Sequence, residues 1–162
     1  MLGLRFVYVL TLAVWLGGMA ILGAVVAPTT FQVLQAADPV AGRALAGATF
    51  GSMLARFHLV AYGCGALLLF TLVAMALLGP RPKAFAIRCA LVVSMLAVAA
   101  YSGVVVLGEI DRIQQEVGGL PSRLPEGDAR RTRFDALHQL STRLMMINLL
   151  GALVLVYWEA AE

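Results

Sequence analysis

Charge is what this sequence has least of. Of its 162 residues only 13% are Asp, Glu, Lys or Arg, while 61% are hydrophobic. Soluble domains are closer to a quarter charged, so an ordinary water-soluble globule is excluded. Lysine is nearly absent, with Lys83 alone against a set of arginines, and no basic block suited to nucleic acid occurs. There is no Ser/His/Asp triad, zinc spacing or phosphate-binding loop, so catalysis has no constellation to rest on. The length suits one domain. Only two cysteines are present, Cys64 and Cys89. Cys64 falls roughly 10 Å below one membrane face and Cys89 roughly 6 Å below the other, which separates them by too much for a disulfide. They read as independent apolar fillers.

What is abundant is uninterrupted apolar sequence. The first run, 6–27, carries no charge and is long enough at about 1.5 Å per residue to cross a hydrocarbon core of roughly 30 Å. Further runs give helices over about 57–79, 85–117 and 131–158. The third continues past the membrane because Ile110, Ile113 and Val117 keep helical spacing. The fourth has a partly polar lead-in whose Phe134, Leu137, Leu140 and Leu144 share one side. Backbone exposed to lipid must bond to itself, so the fold class is all-α, an integral membrane four-helix transmembrane bundle. A cleaved signal peptide competes for the first run, with Arg5 ahead of it and Gly18-Met19-Ala20 as a small-x-small site. The run continues to Ala27, longer than a signal core of roughly 7–15 residues, and is read as a span.

The connections differ in kind. Gly79-Pro80-Arg81-Pro82-Lys83 is a tight turn that makes helices 2 and 3 an antiparallel hairpin. Between helices 1 and 2, Asp38-Pro39 reads as an N-cap and first-turn proline. Arg43, Ala44, Leu45, Ala48, Phe50, Met53 and Leu54 then suit a short interfacial helix. Gly118-Gly119, Pro121, Pro125 and Gly127 break the chain after helix 3. The two long connections share one face as a partly helical lid, and both termini lie on the other. The long-connection face carries eight of the twelve basic residues, which by the positive-inside rule favours cytoplasmic long connections. The compact Arg81, Lys83 and Arg88 group pulls the other way. A bacterial inner membrane is the expected location.

The remaining ionisable groups gather at one membrane face. His58 begins helix 2 beside Arg56, and Glu109 ends the apolar part of helix 3 with Tyr101 two turns deeper. On helix 4, Asp135, His138, Thr142 and Met145 share a face, Arg143 occupies a neighbouring one, and Asn148 lies deeper. Two readings stay open. In one, these groups snorkel to headgroups and bridge helix ends as a structural polar lid, and Asn148 bonds across helices. In the other they form a site, since ionisable groups at the hydrocarbon edge turn inward and pair. Within the second reading, His58 and His138 suit haem b iron, with Asp135 or Glu109 orienting a ring. Copper is the alternative, with Met145 as a soft third ligand and Met53 and Met146 near the same face. An Arg143–Glu109 or Arg143–Asp135 pair would instead suit an oligomeric transporter of an anion or proton. The function best matched to these features is a non-enzymatic binding or accessory protein of the lipid bilayer, acting as a homo-oligomer or with a partner membrane protein.

Trp15 with Gly17-Gly18, Phe57-His58 followed by Gly63-Cys64, and Phe134, His138, Ser141 and Asn148 together resemble the transmembrane protein 205-like family, a domain-of-unknown-function family in bacteria. The likeness runs from about Leu10 to Tyr157. The opening Trp15-Leu16-Gly17-Gly18 is also similar to that of copper-resistance four-helix membrane domains and of a haem-binding protoporphyrinogen oxidase family, over helix 1 alone. The resemblance implies a four-helix membrane protein whose eukaryotic relatives are linked to platinum-drug resistance. It matches the helix-2 and helix-4 histidines to His58 and His138, and it supplies no catalytic residue. The oxidase likeness would call for an intramembrane lysine, and Lys83 lies in a turn.

Overall fold

The structure, a computed structural model, describes residues 2–79 and 81–161, with the backbone alone at Ser122. Pro80, read above as part of the helix-ending turn, lies outside the described residues. Four helices among the described residues are long and apolar enough to cross a membrane: α1 (Leu2–Ala37), α2 (Gly42–Leu78), α3 (Phe85–Val117) and α4 (Ala129–Ala160). The chain is an integral membrane protein. Neighbours in sequence are neighbours in space, and α4 closes the ring by packing on α1 as well as α3. The arrangement is an up-and-down bundle.

Each helix buries one stripe. Tyr8, Leu12, Trp15 and Met19 of α1 recur at helical spacing and meet Ala61, Leu68 and Leu72 of α2, Val92, Met95 and Ala99 of α3, and Ala152 and Leu155 of α4. The opposite faces leave large apolar side chains such as Phe6, Phe70, Leu77 and Val104 exposed, as a lipid-facing surface requires. Small residues set the closest approaches. A Cβ on Gly65 would meet Leu96 at 2.3 Å and one on Gly151 would meet Met95 at 2.9 Å. Cys64 and Cys89 are free thiols.

The helices outrun the apolar segments that announce them, and one expected element merges with its neighbour. The residues after Asp38-Pro39 are helical, but they are the first turns of the 37-residue α2 rather than a separate interfacial helix. Gly47 and Gly51 lower helix propensity without breaking the hydrogen-bond ladder, and no proline intervenes between Gly42 and Arg56. The N-cap expected at Asp38 lies three residues further on. Asp38 accepts from the Val40 and Ala41 amides at 2.8 Å each and closes the turn before the helix, whose N-cap is Ala41 with no side-chain cap, so Pro39 precedes the first helical turn. Gly42 is required there, because a Cβ would lie 2.0 Å from the Leu34 carbonyl oxygen. At the other hairpin, Ala84 stands at φ 54 in the left-handed region to start α3, a conformation costing an L-residue about 1–2 kcal/mol.

Two helices contain a π turn, at Leu22–Val26 in α1 and Tyr101–Val106 in α3. The first lies directly before Pro28. Proline has no N–H and its ring clashes with the preceding turn; widening that turn, with the Ala27 amide bonded to the Leu22 carbonyl, lets α1 continue to Ala37.

Asp128 begins α4, its carboxylate accepting from the Arg130 amide at 2.8 Å. The Arg130 guanidinium, and after it that amide, hold its pKa down at about 2 against an ordinary 3.8. A depressed folded-state pKa stabilises the fold above about pH 3.8 and ceases to do so as pH falls through about 2. Asp128→Asn, which keeps an acceptor but loses the charge, should therefore lower the thermal midpoint at pH 6. The gap to the native chain should close between pH 4 and pH 2 in parallel melts.

Candidate intramembrane cavity

One cavity of about 580 Å³ is lined by all four helices at the long-connection end of the bundle. Its inner end is formed by Trp15 of α1, Ala61 of α2, Ala99 of α3 and Asn148 of α4. Its outer end reaches Arg43, Gln114, Leu120 and Asp135. From Arg43 to Ala61 the wall runs about 27 Å along α2 at 1.5 Å per residue, so the space is elongated along the bundle axis. The lining is predominantly apolar, with Phe31, Phe50, Phe57 and Phe134 around it and a few polar groups between, the usual makeup of a small-molecule site. Both π turns border it, through Gly23 and Ser102. Such turns recur at functional sites.

The two histidines face this space from opposite sides of the bundle, but their settings differ. His58 is buried, and its Nδ1–H donates to the Leu54 carbonyl at 2.8 Å. That bond leaves only Nε2 for any further partner of the neutral ring. The ring lies against Gly103, where a Cβ would come within 2.7 Å of it, and is tilted against Tyr62, whose hydroxyl donates to the Ala99 carbonyl at 3.4 Å. His138 is exposed on α4 and stacks on Phe134 one turn before it, ring centroids 6.4 Å apart. Asn148 is buried, and its side-chain oxygen has no hydrogen-bond partner among the described residues. The bond across helices expected of it is not formed by that oxygen.

A family model described as a domain of unknown function (DUF4149) matches residues 10–118. The chain belongs to that family. The DUF4149 match takes in α1, α2 and α3 and ends before α4, so it includes His58 but not Asp135, His138, Thr142, Met145 or Asn148. It supports the domain-of-unknown-function part of the resemblance, and lends nothing to the transmembrane protein 205-like or copper-resistance likenesses. No curated protein and no solved structure matches the chain.

The structure divides the polar residues singled out in this DUF4149 sequence into two groups. His58, His138, Asp135, Thr142, Met145 and Asn148 line the cavity together with Arg43, Gln114, Ser102 and Ser141, which spacing alone does not single out. Arg56, Tyr101, Glu109 and Arg143 do not line it. Glu109 turns to the α4 lead-in instead, receiving Arg112 at 2.7 Å and Arg133 at 3.0 Å. Two guanidiniums in reach at the membrane surface outcompete an inward turn into an apolar space. Arg56, Tyr101 and Arg143 are exposed, and Arg143 forms no ion pair among the described residues, so neither pair on which the transport reading depends is present. No group of three or more His, Cys, Asp or Glu able to hold a metal ion occurs among the described residues.

A second polar centre, at the terminus end, escapes sequence reasoning. Arg88 of α3 is fully buried and its Nη1 pairs with Glu159 of α4 at 3.0 Å. Arg5 of α1 pairs with the same carboxylate through Nε and donates to the Glu159 carbonyl at 3.2 Å. One signal points to it: Glu159 closes the last apolar run as an acid on a face that carries four basic residues.

Proposed function

We propose that this chain is a non-enzymatic binding protein of the membrane, holding a small molecule in the cavity between His58 and His138 as an accessory to a membrane partner or a second copy of itself. The observation that carries this reading is a cavity of about 580 Å³ bordered by both of the protein's histidines and by buried Asn148. Its walls are apolar enough to hold a ligand body. Asp135, His138, Thr142 and Asn148 offer it a small number of directional contacts. The eight basic residues on that face support cytoplasmic long connections, in what we take to be a bacterial inner membrane. Native mass spectrometry of protein taken from membranes into nanodiscs tests the binding reading. The expected result is a co-purifying small molecule that is lost from His58→Ala and His138→Ala. Identical spectra free of any adduct in all three proteins would overturn it.

A second reading, haem b or copper bound by the histidine pair, has one specific support. The Nδ1–H bond from His58 to the Leu54 carbonyl is the kind of outer hydrogen bond that orients a metal-ligating imidazole and leaves Nε2 for the metal. His58 and His138 would hold haem iron through their imidazole nitrogens. For copper, Met145 would be the third ligand. Oxidised and reduced optical spectra with metal analysis decide it. A Soret band or stoichiometric copper, absent from both alanine variants, carries this reading; a colourless and metal-free protein expressed with ample haem and copper ends it.

A further inference from the structure

The cavity has a roof toward water and a gap toward lipid. At its outer end Leu120 lines the space, and the following 3-10 turn, Pro121–Arg123, packs on α4. Arg123 donates to the Val40 carbonyl and Arg131 to the Leu124 carbonyl at 2.9 Å, so the α3–α4 connection is tied to the α1–α2 turn over the bundle end. The sides are unequal. α3 and α4 stay together through this depth, joined by the Arg133–Glu109 ion pair. α1 packs closely along α4 in its inner part, Leu2–Ile21, and at the π turn Gly23 still lies against Met145. Beyond the π turn at Leu22–Val26 its outer part, Ala27–Ala37, packs on α2 instead. Asp135, His138 and Thr142, at i, i+3 and i+7 on the α4 side of this gap, both line the cavity and are exposed.

From this geometry, and resting on the binding reading above, we infer that the ligand is a single-chain amphiphile drawn laterally from the bilayer, its chain passing between the outer parts of α1 and α4. Its tail lies inward toward Trp15, Ala61 and Ala99. Its small head group stays near Asp135, His138, Gln114 and Arg43, where a run of polar side chains meets the membrane surface. The shape supports one chain: about 580 Å³ is spread along a wall that follows α2 for about 27 Å, which leaves a narrow space. Arg43 and Asp135 offer opposite charges at the outer end, which suits a small head group able both to donate and to accept hydrogen bonds.

The two tryptophans, Trp15 at the inner end and Trp158 near the opposite membrane face, make this measurable. In nanodiscs, Trp158→Phe leaves Trp15 as sole reporter. Stearic acid carrying a nitroxide near its methyl end should quench Trp15 saturably, and more strongly than the isomer labelled near the carboxyl. Gly51→Leu places a branched side chain in the cavity wall, where a Cβ meets nothing within 4 Å, and should abolish the saturable component while leaving the helical circular dichroism unchanged. Competition by unlabelled stearic acid, against competition by a long-chain isoprenoid alcohol, then separates acyl from isoprenoid ligands. Quenching that rises without saturation, equally in Gly51→Leu and in the Trp15→Phe protein that reports from Trp158, is bulk partitioning and overturns the inference. If that result accompanies a histidine-dependent adduct in native mass spectra, only the lipidic ligand falls. If no adduct is seen either, the binding reading falls with it.

Discussion

Glu159→Gln should destabilise the bundle, by less than the roughly 3–5 kcal/mol that loss of one partner costs in a fully buried pair, because Glu159 is only partly buried. Arg88 is fully buried with its Nη1 at 3.0 Å from Glu159, and a neutral amide takes the opposing charge away from that contact. Arg88→Met should cost much less, because Glu159 keeps Arg5, which is 43% exposed and already shares its hydration with solvent. The double variant Arg88→Met with Glu159→Met should recover most of the loss, since apolar replacement of a buried pair is often neutral or stabilising. Reversible unfolding of the three proteins in mixed micelles measures the order. A Glu159→Gln protein as stable as the native chain would mean that the charge of Arg88 is compensated without Glu159. The pair also fixes how α1, α3 and α4 converge at the terminus end, away from the cavity, so ligand binding by the single variants should persist at temperatures where they remain folded.

Asn148→Leu is expected to act in the opposite direction. In ligand-free protein it should raise stability by about 1–3 kcal/mol, because a buried amide oxygen without a partner carries a desolvation cost that an apolar side chain of similar size does not. The same substitution reports which part of the ligand meets the inner end of the cavity: a ligand that bonds to Asn148 should bind more weakly, while the inward apolar tail inferred above should bind at least as tightly. Few changes in a membrane protein are expected to add stability and subtract function together, and the combination is what a polar group kept for a ligand produces. Loss of stability in the variant would instead show that the oxygen is satisfied by bound water, and that its role is structural.

Much of the fold is legible in the residues themselves. Runs without charge give the spans, and the short connection around Arg81 and Lys83 pairs α2 with α3. The spacing of Ile110, Ile113 and Val117 carries α3 to Val117, its observed end. Asp38 is legible as the break between two helices because its chemistry is local, a carboxylate that takes the amides two and three residues on, but the cap itself falls at Ala41. The extent of α2 is not. Nothing local to residues 42–56 says whether a helix will continue straight through Gly47 and Gly51 into the next span.

The candidate site is legible in part for the same reason. Asp135, His138, Thr142 and Met145 lie on one helix face by spacing alone, and the structure turns that face to the cavity. Periodicity cannot say how far a helix is rotated against its neighbours, so Glu109, which its position would turn inward, pairs outward with Arg112 and Arg133. Arg88 follows a turn rich in basic residues and reads as one more surface charge; the structure buries it against Glu159, 71 positions away. The sequence by itself determined a helical membrane protein and which side chains could act together on each helix, because both depend on hydrophobicity and on a fixed helical repeat. Only the tertiary structure decided that the outer part of α1 leans on α2 rather than α4, that both histidines border one elongated space, and that three helices share a partly buried carboxylate. These depend on the rotation, tilt and parting of whole helices, which are set by contacts between residues far apart in the chain.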